Sequence, residues 1–130
     1  MENSSLSVRA VDVGYGHIKF TTGRDPITRT ITTDSIPSQS PAAKQQTRIA
    51  GGVLKQRDTF VVPVGERQFE VGRDIRLALH GNQETEVLDE NFCLGDAYAA
   101  RLFGALNYML PSLERPVIDV LVLGLPLNTY

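Results

Sequence analysis

Residues 10–20 read "AVDVGYGHIKF", and Asp12, Gly14, Gly16 and Lys19 within them could do chemistry together. A strand core has no use of its own for a carboxylate among Val and Ile, or for two glycines one residue apart. A tight turn between strands can be glycine-rich for steric reasons alone, because Gly accepts positive φ. That reading accounts for the glycines and leaves the acid and the lysine unexplained. Backbone N–H groups in such a turn can also converge on anionic oxygens, provided no side chain blocks the approach. Lys19 would bring a compact positive charge to the same phosphates. Asp12 would face a cation, most simply Mg²⁺ through its coordinated waters, since magnesium gives up its hydration shell reluctantly. Acid, glycines and lysine in this order supply a metal anchor, an amide cradle and a counter-charge.

Three strand signals position these residues: "VRAVDV" (8–13), "HIKFTT" (17–22) and "ITRTITT" (27–33), separated by the glycine pair and by the turn-forming "GRDP". They predict an antiparallel meander. The stretch "SIPSQSPAAKQQTRIAGG" (35–52) has no sustained apolar period and reads as a long surface loop outside the core. "DTFVVPVG" and "ERQFEVG" read as two strands joined at Gly65-Glu66, the first at an edge because of Pro63. "RDIRLALHG" (73–81) can make two helical turns ended by Gly81. Over 91–110, Leu94, Tyr98, Leu102, Ala105, Leu106 and Met109 recur every three or four residues, which predicts a helix ended by Pro111. Gly95 and Gly104 each weaken it by about 1 kcal/mol relative to Ala. "VIDVLVLG" (117–124) is nearly continuous in aliphatic residues, as expected of a strand covered on both faces. A chain that stops so soon after such a strand is expected to be a piece of a longer protein.

Composition narrows the function classes. A chain of 130 residues is within the range of one domain. Thirteen Lys and Arg against 15 Asp and Glu leave a net charge of −2, so nothing in the overall balance attracts a phosphate backbone or an anionic membrane. The longest apolar stretch, 117–127, carries Asp119 and is too short for a bilayer, and the first ten residues lack the order of a signal peptide. These features predict a cytoplasmic protein with no membrane partner. One cysteine, Cys93, excludes an internal disulfide and reads as a small buried hydrophobe, and two histidines, His17 and His80, make no zinc pattern.

"DVGYGHIK" resembles the first phosphate-binding loop of the actin-like ATPases, above all the ParM/StbA plasmid-segregation family with its archaeal and PRTRC-cassette (protein D) relatives. "SIPS" (35–38), "FEVGRDI" (69–75) and "VLGLPLNTY" (122–130) are similar to later segments of the same family, in the same order. The resemblance implies an α/β fold, the first half of an actin-like, RNase H-like domain. Its mixed sheet has a three-stranded meander, a parallel strand and a covering helix. Residues 1–36 and 89–130 would form that subdomain and 37–88 a smaller inserted one with a flexible loop at 37–57, the C-terminal half of the family fold being absent. It further implies ATP and Mg²⁺ as ligands. Asp12 takes the place of the magnesium-associated aspartate, Gly14, Tyr15 and Gly16 that of the phosphate turn, and Lys19 that of the phosphate-contacting lysine. His17 falls on a variable position.

The implied function is an ATPase that polymerises with bound nucleotide and moves plasmid DNA through an adaptor protein. This piece alone would be nearly inactive and would self-associate as a dimer or larger. A sugar or acetate kinase or a chaperone-type ATPase would share the loop, and a non-catalytic assembly module would use it only as a turn. Other residues point less far. Asp119 reads as a solvent-facing acid, Asp96 as a carboxylate in a helix first turn, and Tyr98, Phe103 and Tyr108 as packing, with only Arg101 interleaved. Asn128, Thr129 and Tyr130 would lie beyond the C-terminal end of a central strand, where open α/β sheets bind ligands.

Overall fold

Burial alternates along the first two strands as the sequence does. In β1 (Val8–Val13), Val11 and Val13 are buried and Asp12 between them is exposed. In β2 (His17–Arg24), Ile18 and Phe20 are buried while His17 and Lys19 face solvent. A period of two is what a sheet covered on one face requires. The computed structural model describes residues 5–43, 57–79 and 92–125. After β1 and β2 come β3 (Ile31–Pro37), β4 (Thr59–Val64), β5 (Arg67–Gly72), helix α1 (Asp96–Met109) and β6 (Val120–Gly124). β1, β2 and β3 form an antiparallel meander, and β6 joins parallel to β1, giving the order β3-β2-β1-β6. β4 and β5 pair as a separate two-stranded sheet. The mixed sheet with its parallel strand and helix is the α/β architecture expected from the sequence.

Several expectations need correction. The third strand begins at Ile31 and not at residue 27, because Asp25 organises a loop ahead of it. The Asp25 carboxylate accepts the amides of Ile27 and Thr28, and the Asp25 carbonyl accepts that of Arg29. Ile27 is left 90% exposed. Side-chain capture of nearby amides outcompetes the strand propensity of "ITRT". The segment expected as a surface loop, 35–52, is not loose in its described part, and its first residues belong to β3. Ile36, Ser38 and Ser40 are buried, Ala42 bridges to Phe69, and Glu70 donates its amide to Pro41. Residues 44–56 lie outside the described residues, as do His80 and Gly81. Residues 75–78 form a single 3₁₀ turn in place of two helical turns.

The expected helix is present, entered by a 3₁₀ turn at Phe92–Leu94 and left by another at Leu110–Ser112 that contains Pro111. Its buried face is wider than the expected one, with Leu102 and Leu106 packed against the core at its margin. Leu94 is 81% exposed, whereas Ala100, Arg101 and Gly104 join Tyr98, Ala105 and Met109 inside. The reason is that α1 packs on β1 and β2 and on β4 and β5 as well, so small residues are needed where backbones approach. A Cβ on Gly104 would come within 2.6 Å of the Val71 side chain. One continuous core runs from Val11, Ile18 and Ile36 through Phe92 and Met109 to Val62 and Val71. β6 is not covered on both faces: Val120, Leu121, Val122 and Leu123 are all exposed at the edge of the described sheet.

Candidate functional site

The turn between β1 and β2 is built by its register. Val13 pairs with Ile18, Asp12 with Lys19, and the Gly14 amide donates to the His17 carbonyl at 3.1 Å. The Gly16 carbonyl accepts the Ser38 amide at 3.0 Å, which ties the turn to the end of β3. The amides of Tyr15 and Gly16 have no acceptor among the described residues.

Neither turn glycine has positive φ, so left-handed backbone does not explain them. Gly14 is needed for close approach, since a Cβ there would lie 2.8 Å from the His17 carbonyl oxygen. Gly16 has no such reason: a Cβ there would meet nothing within 4 Å. Open space above free amides is the geometry of an anion cradle.

Asp12 and Lys19 stand directly opposite each other on the exposed face, yet neither side chain makes an ion pair or hydrogen bond among the described residues. On its other side Asp12 pairs with Gly124 of β6. The Asp12 carboxyl lies over that glycine, where a Cβ would be 3.0 Å from Oδ1. Three strands therefore bring acid, lysine and glycine into one row beside the turn. Among the described residues no three His, Cys, Asp or Glu gather as a metal cluster. A cation at Asp12 would rest on one carboxylate, with waters and ligand oxygens completing its shell, which suits Mg²⁺.

Tyr15, at the tip of the turn, is 45% exposed and meets Phe92 edge-on with ring centroids 5.7 Å apart. Phe92 in turn meets Tyr98 of α1 at 5.8 Å and lies under the Arg101 guanidinium at 5.1 Å. Arg101 donates to Ser40 Oγ at 3.0 Å and to Ser38 Oγ at 3.3 Å. The turn is thus propped by aromatic rings from below and anchored through Ser38 from the side. Burial, with contributions from Cys93 and Asp12, pushes the Tyr98 phenol pKa up.

All five residues expected at the site, Asp12, Gly14, Tyr15, Gly16 and Lys19, come together at this end of β1. Gly124, Phe92, Tyr98 and the Arg101–serine cluster were not anticipated there. Only Gly124 left a signal, as the glycine that ends an aliphatic strand run. The remaining candidates play structural parts. Asp119 accepts the amide and hydroxyl of Ser7, and the Ser7 amide first, with Arg115 adding charge, holds its carboxyl below the usual range. Asp96 sits in the first turn of α1 and lies 3.8 Å from Arg67. Cys93 is half-buried. A concavity lined by Arg9, Arg24 and Arg115 lies at the opposite end of the sheet and includes none of the turn residues. Asn128, Thr129 and Tyr130 lie outside the described residues.

Comparison with known proteins agrees with this architecture. No curated protein matches the chain. Among solved structures, the crystal structure of apo pSK41 ParM superimposes with a TM-score of 0.62 at 15% identity, over 96% of this chain and 38% of that one. The likeness is one of fold, and this chain spans well under half the length of that protein. The family model described as the N-terminal domain of actin-like proteins matches residues 10–130. The chain accordingly belongs to the actin-like proteins, to the family of their N-terminal domain.

Proposed function

We propose that this domain binds ATP with Mg²⁺ at the β1–β2 turn and belongs to a cytoplasmic ATPase that polymerises with bound nucleotide to segregate plasmid DNA through an adaptor. One observation carries the nucleotide part: a carboxylate and a lysine with no partner among the described residues flank a turn whose Gly16 faces open space with ordinary φ. The free turn amides would receive phosphate oxygens, Lys19 would offset their charge, and Asp12 would hold the waters of the cation. Bound Mg²⁺ would neutralise charge on the transferring phosphoryl group. Hydrolysis also needs groups facing the γ-phosphate from the other side, so turnover belongs to the full-length protein. Polymerisation and plasmid segregation rest on the relation to ParM.

Calorimetric titration of the full-length protein with ATP and Mg²⁺ tests the reading. Lys19→Ala should weaken binding about ten- to hundredfold, the equivalent of one charge-assisted contact of about 1.5–3 kcal/mol, and leave the circular dichroism spectrum unchanged. Equal affinity of variant and parent would remove Lys19 from the site. A parent that binds no nucleotide would make the turn a structural element of an assembly module.

A further inference from the structure

The concavity at the far end of the sheet has no part in the nucleotide reading. It measures about 470 Å³, within the size range of small-molecule sites. Three places in the chain supply arginines to its lining: Arg9 in β1, Arg24 at the end of β2, and Arg115 between α1 and β6. Against these three guanidinium groups the lining holds two carboxylates, Asp25 and Glu114. Asp25 is engaged by its own loop, through the amides of Ile27 and Thr28, and Glu114 makes no ion pair among the described residues.

The arginines are not neutralised from within. Arg9 donates only to carbonyl oxygens, Nη1 to Val8 and Nη2 to Ser112, and its Nε is buried with no partner among the described residues. Arg24 donates Nε to the Arg29 carbonyl, and its two amino groups have no partner among the described residues. Arg115 reaches Asp119 only at 3.8 Å. A part-buried guanidinium held by neutral acceptors keeps its charge without a counter-ion, an arrangement that folded proteins normally avoid by pairing. The rim is also shaped by a bulge in β2 between Thr21 and Gly23, where Gly23 has φ 152°, a conformation that favours glycine. Bulges bend a strand and re-aim its side chains, and this one immediately precedes Arg24.

We propose that this concavity binds a small polar anion, whose carboxylate or phosphate oxygens are received by Arg9 and Arg24. The planar fork of a guanidinium matches either group, and a bound anion offsets the charge that the fold leaves uncompensated at Arg9. Serine and threonine hydroxyls outnumber aliphatic side chains in the rest of the lining, which suits a polar molecule over an apolar one. The site shares no residue with the turn, so it stands or falls independently of nucleotide binding.

Calorimetric titration of the full-length protein carrying Lys19→Ala, without nucleotide and at constant ionic strength, tests the proposal with inorganic phosphate and malonate as separate probes. The Lys19 change weakens the turn as a competing anion site. At least one probe should bind with a dissociation constant of about 1 mM, as for a ligand of so few atoms. Binding of phosphate alone would identify a phosphoryl group as the ligand, and binding of malonate alone a carboxylate. Adding Arg24→Gln should weaken that binding about three- to tenfold, with little change in Tm because the side chain is exposed. Arg9→Gln should weaken it at least as much, and Tm is read beside it because Arg9 also ties β1 to Ser112. Failure of both probes to bind would overturn the proposal. So would binding that neither arginine variant weakens, which would place the anion elsewhere on the molecule.

Discussion

Glycine at position 124 is decided by a residue far away in sequence, Asp12, whose carboxyl occupies the space a side chain would need. Gly124→Ala places a Cβ 3.0 Å from Asp12 Oδ1 and 3.2 Å from Asp12 Cβ; the exposed carboxyl can rotate away, and the Cβ contact needs a shift of a few tenths of an ångström. The fold should lose little, within about 0.5 kcal/mol as for most surface changes, whereas the carboxylate leaves its place in the row. The expected outcome is a higher Mg²⁺ concentration at half-maximal ATP binding with an unchanged Tm, and a larger shift of the same sign for Asp12→Ala. An unaltered Mg²⁺ midpoint in both variants would detach Asp12 from the cation. Asp12, Gly14, Gly16 and Lys19 were legible in the sequence because a hairpin brings near neighbours into register. Gly124 was not, because a parallel pairing delivers it across the whole intervening chain. Tyr98 was legible as packing, which describes its ring, but no sequence pattern records a hydroxyl without a partner.

The strands of the meander were legible as elements because alternation is a local signal, and β3 was displaced only where the Asp25 carboxylate captured its own loop. The helix was legible too, and its face in part: Tyr98, Ala105 and Met109 are buried and Leu102 and Leu106 pack against the core as the spacing predicts. Periodicity also weighted Leu94, while packing against two sheets favoured Ala100, Arg101 and Gly104. Gly104 makes that competition measurable. Replacing it by Ala gains about 1 kcal/mol of helix propensity. The new Cβ would, however, lie 2.6 Å from Val71 Cγ1 and 2.8 Å from Val71 Cβ, and overpacking of this kind costs about 1–3 kcal/mol. The clash involves a branched, fully buried side chain with nowhere to turn, so it should win. Gly104→Ala is expected to lower stability in urea unfolding. The same change in a Val71→Ala background should cost less, since the Cγ1 contact at 2.6 Å is gone and only the Cβ contact at 2.8 Å remains. A single variant more stable than the parent would show that α1 can lift off β5.

At the scale of the whole molecule, the two sheets and the helix meet at one charged junction. Arg73, just after β5, pairs with Asp34 of β3 at 3.0 Å and with Asp58, ahead of β4, at 3.2 Å. Its guanidinium lies 4.9 Å from the Tyr108 ring centroid. The Tyr108 hydroxyl donates to Asp58, with Oδ1 at 2.8 Å and the carbonyl at 2.9 Å, and accepts the Arg73 amide at 3.2 Å. The hydrogen bond from Arg73 is the main cause holding the Asp34 carboxyl below its ordinary value. A carboxylate with a depressed folded pKa contributes stability above its unfolded value, about 3.9, and loses it as pH falls through the folded one. Burial first, then Asp58, pushes the Tyr108 phenol up to about 12. An acid whose folded pKa is raised stabilises the fold below its unfolded value, about 10, and ceases to do so as pH rises toward 12. Stability should therefore be flat across the neutral range and fall at both ends, with the acid limb below about pH 4 and the alkaline limb above about pH 10. Melting curves of the parent, Asp34→Asn and Tyr108→Phe across this range separate the two limbs. Asp34→Asn should lower the plateau and make the acid limb shallower. Tyr108→Phe should cost about 1 kcal/mol at neutral pH for the lost hydrogen bonds and make the alkaline limb shallower. Variants that lower the plateau but keep both slopes of the parent would mean that the junction is not what couples the sheets to pH.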